Sequence, residues 1–282
     1  MKSILSLFLA GVSLMAFGQI KTPSPSPAGS VSTTVGLTDV KIDYSRPRVK
    51  GRKIFGEGAG FLLPYGTIWR SGANNGTFIS FSDDVTVEGN KVPAGKYLIY
   101  TWPGASEWTV SLYKDINLGG DTEHYDKAQE LINFKVKSEK LAEKVETLTY
   151  NIGDIADDSK SAKVQLAWEN TSVKFSVGVD FDAKVMKSIE ASTKINPNNY
   201  YQAAVYYLEN GKDLKQAEEW AVKASEASPD AFWIWYQRAR IEKALGNKAA
   251  ALASSKKSSE KAAAAKNRDY VNMNEELQKS LK

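Results

Sequence analysis

The stretch LPYGTIWRSGANNGTFISFSDDVTVEGNKVPAGKYLIYTWPGASEW, residues 63–108, decides the fold. Four short apolar runs, 67–69, 77–81, 85–87 and 96–102, are separated by clusters of Gly, Asn, Asp and Pro, the pattern of tightly turned antiparallel strands. At the centre, WRSGANN gathers Trp69, Arg70, Asn74 and Asn75 into one loop, with Gly72 and Gly76 supplying backbone freedom at either side. An aromatic face, a fixed cation and two amides suit recognition better than catalysis.

Strand patterns continue in both directions from this stretch. Val40, Ile42 and Tyr44 alternate with Lys41, Asp43 and Ser45, and Trp108, Val110 and Leu112 alternate with Thr109 and Ser111. Further on, Val164, Leu166 and Trp168 share one face, and Val173, Phe175 and Val177 share another of opposite parity. A two-residue hairpin at Asn170 and Thr171 accounts for that change of parity, so the sequence predicts a turn there. Roughly ten short strands without an intervening βαβ pattern indicate an antiparallel β-sandwich or flattened barrel over residues 30–182.

From residue 183 to 282 the apolar period changes from two to about three and a half. Helices are expected between breaks at Asn196-Pro197, Asn210-Gly211, Ser228-Pro229, Gly246-Asn247 and around Asn267. The segment AAVYYLENGKDLKQAEEWAVKASE overlays on QRARIEKALGNKAAALASSKKSSE, matching Gly211 to Gly246 and Ala217 to Ala251. That offset is the tetratricopeptide period, in which small residues let paired helices approach closely. Such repeats bind peptides in a concave groove. The crowding of Tyr200, Tyr201, Tyr206, Tyr207, Trp220, Phe232, Trp233, Trp235 and Tyr236 favours a seam against the β-domain instead, so residues 183–282 are not expected to fold alone.

At the other end, Lys2 precedes an apolar run to Phe17 and a small-residue pattern at Ala16–Gly18. This predicts a signal peptide over residues 1–18, cleaved near Gly18, because the run is shorter than the ~20 residues a spanning helix needs. The Pro/Ser segment 19–29 then reads as an extended linker. The mature chain is expected to be periplasmic or secreted, with no membrane span. Its lack of cysteine excludes thiol catalysis and thiolate metal sites, and leaves stability to core size. A formal charge of +4, spread over both halves, gives no footprint for nucleic acid.

The strings DYSRPRVKGRKIFG, LLPYGTIWRSGANNGTFISFSDDVTVEGNKVPAGKY and EWTVSLYKD resemble the bacterial family called domain of unknown function 2911. Helices like those from Ala203 onward resemble the ones that follow this domain in some members. The resemblance implies an exported β-domain of Gram-negative envelopes and no established activity. Two positions depart from the family pattern. Asn75 stands where an acidic residue is usual, and Leu118 where a Trp commonly precedes the glycine.

Catalytic constellations are scarce. A single histidine, His124, allows neither a multi-histidine metal site nor a pair of histidine acid/base partners. GEGAG at 56–60 lacks the lysine and following helix of a phosphate loop, and Asp83 and Asp84 read as a turn. Asp115, Asn117, Asp121 and Asp126 fall at calcium-loop spacing, yet Gly119 occupies a ligand position, Asp126 replaces the bidentate Glu, and a strand precedes the loop. They remain weak metal candidates, and no cofactor is expected.

The reading is therefore a non-catalytic binding or interaction module for a small molecule, glycan, peptide or envelope protein. Its proposed site comprises Arg46, Trp69, Arg70 and Asn74 on one rim of the β-domain, where guanidinium groups could capture an anion. The plainer account pairs each arginine with a carboxylate such as Asp43, Glu57 or Asp83. The alternative function is a hydrolase or isomerase acting on an envelope carbohydrate.

Overall fold

A computed structural model describes residues 22–195 and 199–282. The expected signal peptide, the first residues of the Pro/Ser segment and the break at Asn196-Pro197 lie outside the described residues. The chain divides into two compact units, one running to Asp180 and the other Phe181–Lys282.

The first unit is built from β1 (Ala28–Val35), β2 (Thr38–Ser45), β5 (Thr77–Phe81), β6 (Val85–Val87), β7 (Asn90–Val92), β8 (Gly95–Trp102), β9 (Glu107–Tyr113), β10 (Glu130–Gly153) and β11 (Ser161–Val179). These nine form one antiparallel sheet in the order β1-β2-β5-β8-β9-β10-β11-β6-β7. Two short strands, β3 (Phe55–Gly56) and β4 (Leu63–Pro64), pair in parallel outside it. The expected run at 67–69 makes only an isolated bridge, from Trp69 to Thr101. β1 takes in the last two residues of the Pro/Ser segment, and the carbonyl of Pro27 accepts from the Arg46 N–H at 2.9 Å.

The sheet curls until it meets itself. Arg48 bridges Thr147, with Val49 N–H donating to Glu146 and Leu148 N–H to Pro47, so β10 carries β9 and the residues after β2 along its length. The result is a flattened barrel. Inside it, alternation places Ile42, Ile79, Leu112, Leu148, Trp108 and Trp168 at full burial. Phe55 from β3 meets Trp108, Trp69 and Trp168 edge to face, with centroids 4.8, 5.8 and 5.9 Å apart.

The expected hairpin at Asn170 and Thr171 does not form. Trp168 and Val173 lie on the same strand, β11, which runs unbroken past them. The change of parity is absorbed by an irregularity: Glu169 has φ 55°, and between Lys140↔Thr171 and Val145↔Glu169 residues 141–144 of β10 stand against Asn170 alone. A bulge flips the inward face of a strand just as a turn would, without reversing the chain.

The second unit contains α1 (Asp182–Ile195), α2 (Tyr200–Glu209), α3 (Leu214–Ala227), α4 (Phe232–Ala244), α5 (Lys248–Ala264) and α6 (Arg268–Lys279). Asp213 and Asn267 cap α3 and α6 through side-chain oxygens that accept backbone N–H groups of the first turn. Gly211 and Gly246 sit in the turns after α2 and α4 with φ 62° and 82°, at the matched positions of the overlay. Ala217 packs with Ala204, Ala221 and Ile241, while Ala251 packs with Ala239, Leu277 and Leu281. The matched alanines are both fully buried, so the repeat in sequence is a repeat in packing. None of the described helices is long and apolar enough to cross a membrane.

Candidate functional site

The WRSGANN loop joins β4 to β5 and is held from below. Trp69 and Thr101 exchange backbone hydrogen bonds of 2.8 and 2.9 Å. Beyond them the chain turns through Ser71 and Asn74, whose φ values of 56° and 54° lie in the left-handed region. Ser71 is buried. Its hydroxyl donates to Thr101 Oγ1, and its carbonyl accepts from Thr77 Oγ1 at 2.9 Å and from the Tyr150 hydroxyl at 3.1 Å. Burial pushes the Tyr150 phenol above its ordinary range, so it serves only as a neutral donor.

The four proposed recognition residues take different roles. Trp69 is 5% exposed and belongs to the core: its indole stacks on Trp168 and donates through Nε1 to the Gly72 carbonyl at 3.0 Å. It presents no stacking face to solvent, because an indole at this loop's root gains more from burial than from exposure. Arg46 reaches to β10, donating from Nε to the Leu148 carbonyl and from Nη2 to Thr149 Oγ1, both at 3.2 Å. Asn74 donates from Nδ2 to Ser45 Oγ at 3.1 Å and to the Ser26 carbonyl at 3.3 Å, tying the loop to the start of the sheet. Both arginines keep spare donors, Arg70 more of them. Arg70 Nη1 bonds the Asn74 carbonyl at 3.1 Å. The backbone thus brings Asn74 beside Ser45 and Arg46, but the two guanidinium groups share no partner.

The plainer account of the arginines also differs from what is found. Among the described residues Arg46, Arg48, Arg52 and Arg70 form no ion pair, and Asp43 pairs with Lys41 at 2.9 Å instead. Arg52 donates to the carbonyls of Val49 and Arg48. Carbonyl groups left over where the strands diverge take the place the carboxylates were expected to fill.

The loop after β9 packs directly on WRSGANN. A Cβ on Gly120 would lie 2.1 Å from the Asn74 carbonyl oxygen and 2.9 Å from Arg70 Nη1, so only glycine permits this approach. Beneath, the Tyr100 hydroxyl donates to the carbonyls of Gly119 and Asp121 at 2.9 and 2.8 Å, and burial raises its pKa to about 12. Asn75 and Leu118 meet here as well: the Asn75 carbonyl lies beside Gly119, and Leu118 packs on the cluster of Leu98, Tyr100 and Tyr113.

The weak metal candidates are occupied otherwise. Asp115 accepts from the Asn117 N–H, Asp126 from the Ala128 N–H, and Asp121 from the N–H groups of Glu123 and His124. Among the described residues no three His, Cys, Asp or Glu side chains gather as a metal site would need. Asp121 Oδ2 also meets His124 Nδ1 at 2.7 Å, on open surface. That contact raises the imidazole pKa and lowers that of the carboxyl.

A larger opening lies in the helical unit. α2, α4 and α6, the first helices of successive pairs, line a groove of about 700 Å³. Leu208, Tyr236, Met273 and Leu277 give it apolar walls, and Met273 is 40% exposed. Arg240, Lys243 and Glu276 stand along it. Arg240 is shared with Glu209 and Glu276 with Lys279, but among the described residues Lys243 bonds only the neutral hydroxyl of Ser280, at 2.8 Å. The aromatic crowding in this unit is resolved partly within it, through Tyr207 on Trp220 and through Phe232 and Tyr236 on Tyr270. Sequence reasoning named a groove and, of its lining, only Tyr236, which it placed in the aromatic crowding. The signal was the row Tyr236, Arg240, Lys243 on α4 facing Met273, Glu276, Ser280 on α6, both at one-turn spacing.

Residues 26–177 match the model of a family described as "Protein of unknown function (DUF2911)", which covers more than half of the chain. No curated protein and no solved structure matches it.

Proposed function

The chain belongs to the family described as "Protein of unknown function (DUF2911)", and from that premise we propose that it is a non-catalytic binding protein of the cell envelope that takes a peptide segment in the groove between α2, α4 and α6. The observation that carries this reading is the combination of exposed Met273 and half-buried Tyr236 with Lys243, an ammonium group whose one partner among the described residues is a hydroxyl. Apolar walls favour side-chain burial, and the lysine favours a carboxylate on the bound segment. The β-unit supports a binding role in a different sense. Its loop carboxylates at 115, 121 and 126 accept backbone N–H groups in turns, and its histidine sits on open surface beside Asp121. The leader read in the sequence supports export, which would bring the groove among envelope proteins.

The test is selection of displayed random peptides on the full chain. Enriched peptides should lose binding to Met273→Arg while the variant keeps its helical circular dichroism. Absence of enrichment, or enriched peptides that bind Met273→Arg as well as the parent, would overturn the reading.

A further inference from the structure

A second cleft, of about 430 Å³, lies between α5 and α6. Lys248, Lys256 and Lys282 stand around Leu252 and Leu281, with Gln278 as the remaining polar side chain and no Asp or Glu side chain on the lining. Among the described residues none of the three lysines forms an ion pair. The ammonium groups around an aliphatic floor, with no Asp or Glu side chain among the lining residues to offset them, raise the potential there. Lys248, Leu252 and Lys256 follow at intervals of four on α5, so they form one row, with the lysines about 12 Å apart and the leucine midway. α6 packs on both α5 and α4, and among the described residues no helix covers the α5–α6 cleft in turn.

We propose that this cleft is a docking site for an amphipathic helix of a partner protein, one that carries an aliphatic residue between two acidic residues at four-residue intervals. The aliphatic side chain would enter between Leu252 and Leu281, and the carboxylates would meet Lys248 and Lys256, with Lys282 at the open end. The helical row sets the spacing, the lysines set the sign, and the leucines require an apolar centre. A second copy of this chain is disfavoured as the occupant, because two such faces would bring lysine against lysine. An anionic membrane would satisfy the lysines but has no use for a recess of this size.

The probe is a helical peptide of alanine and glutamine carrying Glu, Leu and Glu at successive four-residue intervals, with a twin in which both Glu are Lys. Both are titrated against the full chain by fluorescence anisotropy at low salt. The Glu peptide should bind about tenfold more tightly than its twin, as two partly exposed pairs allow. The reversal Lys248→Glu with Lys256→Glu should invert that preference, and the neutral pair Lys248→Gln with Lys256→Gln should abolish it without inverting it. Met273→Arg, which lies in the other groove, should leave it unchanged. Equal affinity for the twins, a preference that survives charge reversal, or binding to phosphatidylglycerol vesicles with neither peptide bound would each overturn the proposal.

Discussion

Tyr150 on β10 donates its hydroxyl to the carbonyl of Ser71, 79 residues earlier in the chain, so the longest strand of the sheet holds the tip-forming loop from inside. Thr77 Oγ1 donates to the same oxygen. Tyr150→Phe therefore leaves that carbonyl one partner, and the expected loss is about 1 kcal/mol in urea unfolding. A loss several times larger would show that the hydroxyl fixes the loop's conformation as well.

Trp69 and Arg70, adjacent in sequence, should separate widely in mutagenesis. Trp69→Ala empties the centre of an aromatic cluster and should cost roughly 3–5 kcal/mol. Arg70→Ala removes one bond to a loop carbonyl and should stay within about 0.5 kcal/mol. Arg46→Ala falls between them, at roughly 1–3 kcal/mol, since a half-buried guanidinium loses two acceptors on β10. Chemical denaturation of the three variants measures the order directly.

His124 is the only histidine, which makes it a clean probe of pH. Its bond to Asp121 raises its pKa above the ordinary value of about 6.5. A raised folded-state value means that the contact stabilises fully below that ordinary pKa and that the contribution is lost as pH rises through the folded one. Proton NMR of the imidazole should show the raised midpoint, and Asp121→Asn should return it towards the ordinary value. Both groups are exposed, so the accompanying change in melting temperature should be small.

Glu169 adopts a left-handed backbone within a strand. Glycine relieves that conformation, whereas a β-branched residue resists it, so Glu169→Gly should be neutral or stabilising and Glu169→Val destabilising by about 1–3 kcal/mol. Equal effects of the two would mean that the bulge can shift its register.

Millimolar calcium should leave the melting temperature unchanged, because Asp115, Asp121 and Asp126 already accept backbone N–H groups within separate turns. Asp115→Ala should lower stability in calcium and in chelator alike, by roughly the 0.5–2 kcal/mol of a lost cap. Differential scanning fluorimetry in both buffers distinguishes the outcomes.

The fold was legible where one face is buried. Val40, Ile42 and Tyr44 announced β2, and Gly211, Gly246 and the paired alanines announced the helical repeat. The turn read at Asn170 shows the limit of that method. Alternation records which side of a strand each residue faces, and both a turn and a bulge change its phase. Only the partner strand, with residues 141–144 set against the single Asn170, distinguishes them. The partners of the site residues were hidden for a related reason. Arg46, Trp69 and Asn74 have the chemistry of recognition, but a guanidinium, an indole and an amide are equally suited to backbone groups that a curled sheet leaves unpaired. Sequence gives the donor and not the acceptor.

The closing contact between Arg48 and Thr147 sets an order on the assembly of the chain as it is made. β1 and β2 form a hairpin through the two-residue turn Gly36–Leu37, and that hairpin needs nothing downstream. The segment beyond β2, by contrast, finds its partner only after about another hundred residues have emerged. Contacts so distant in sequence repay their loop-closure entropy late. Until then its backbone donors and acceptors are available to any extended segment nearby. Slow delivery of β10 prolongs that interval, so substitutions that weaken β10 should show first as aggregation during synthesis, before they show as reduced stability of the finished protein.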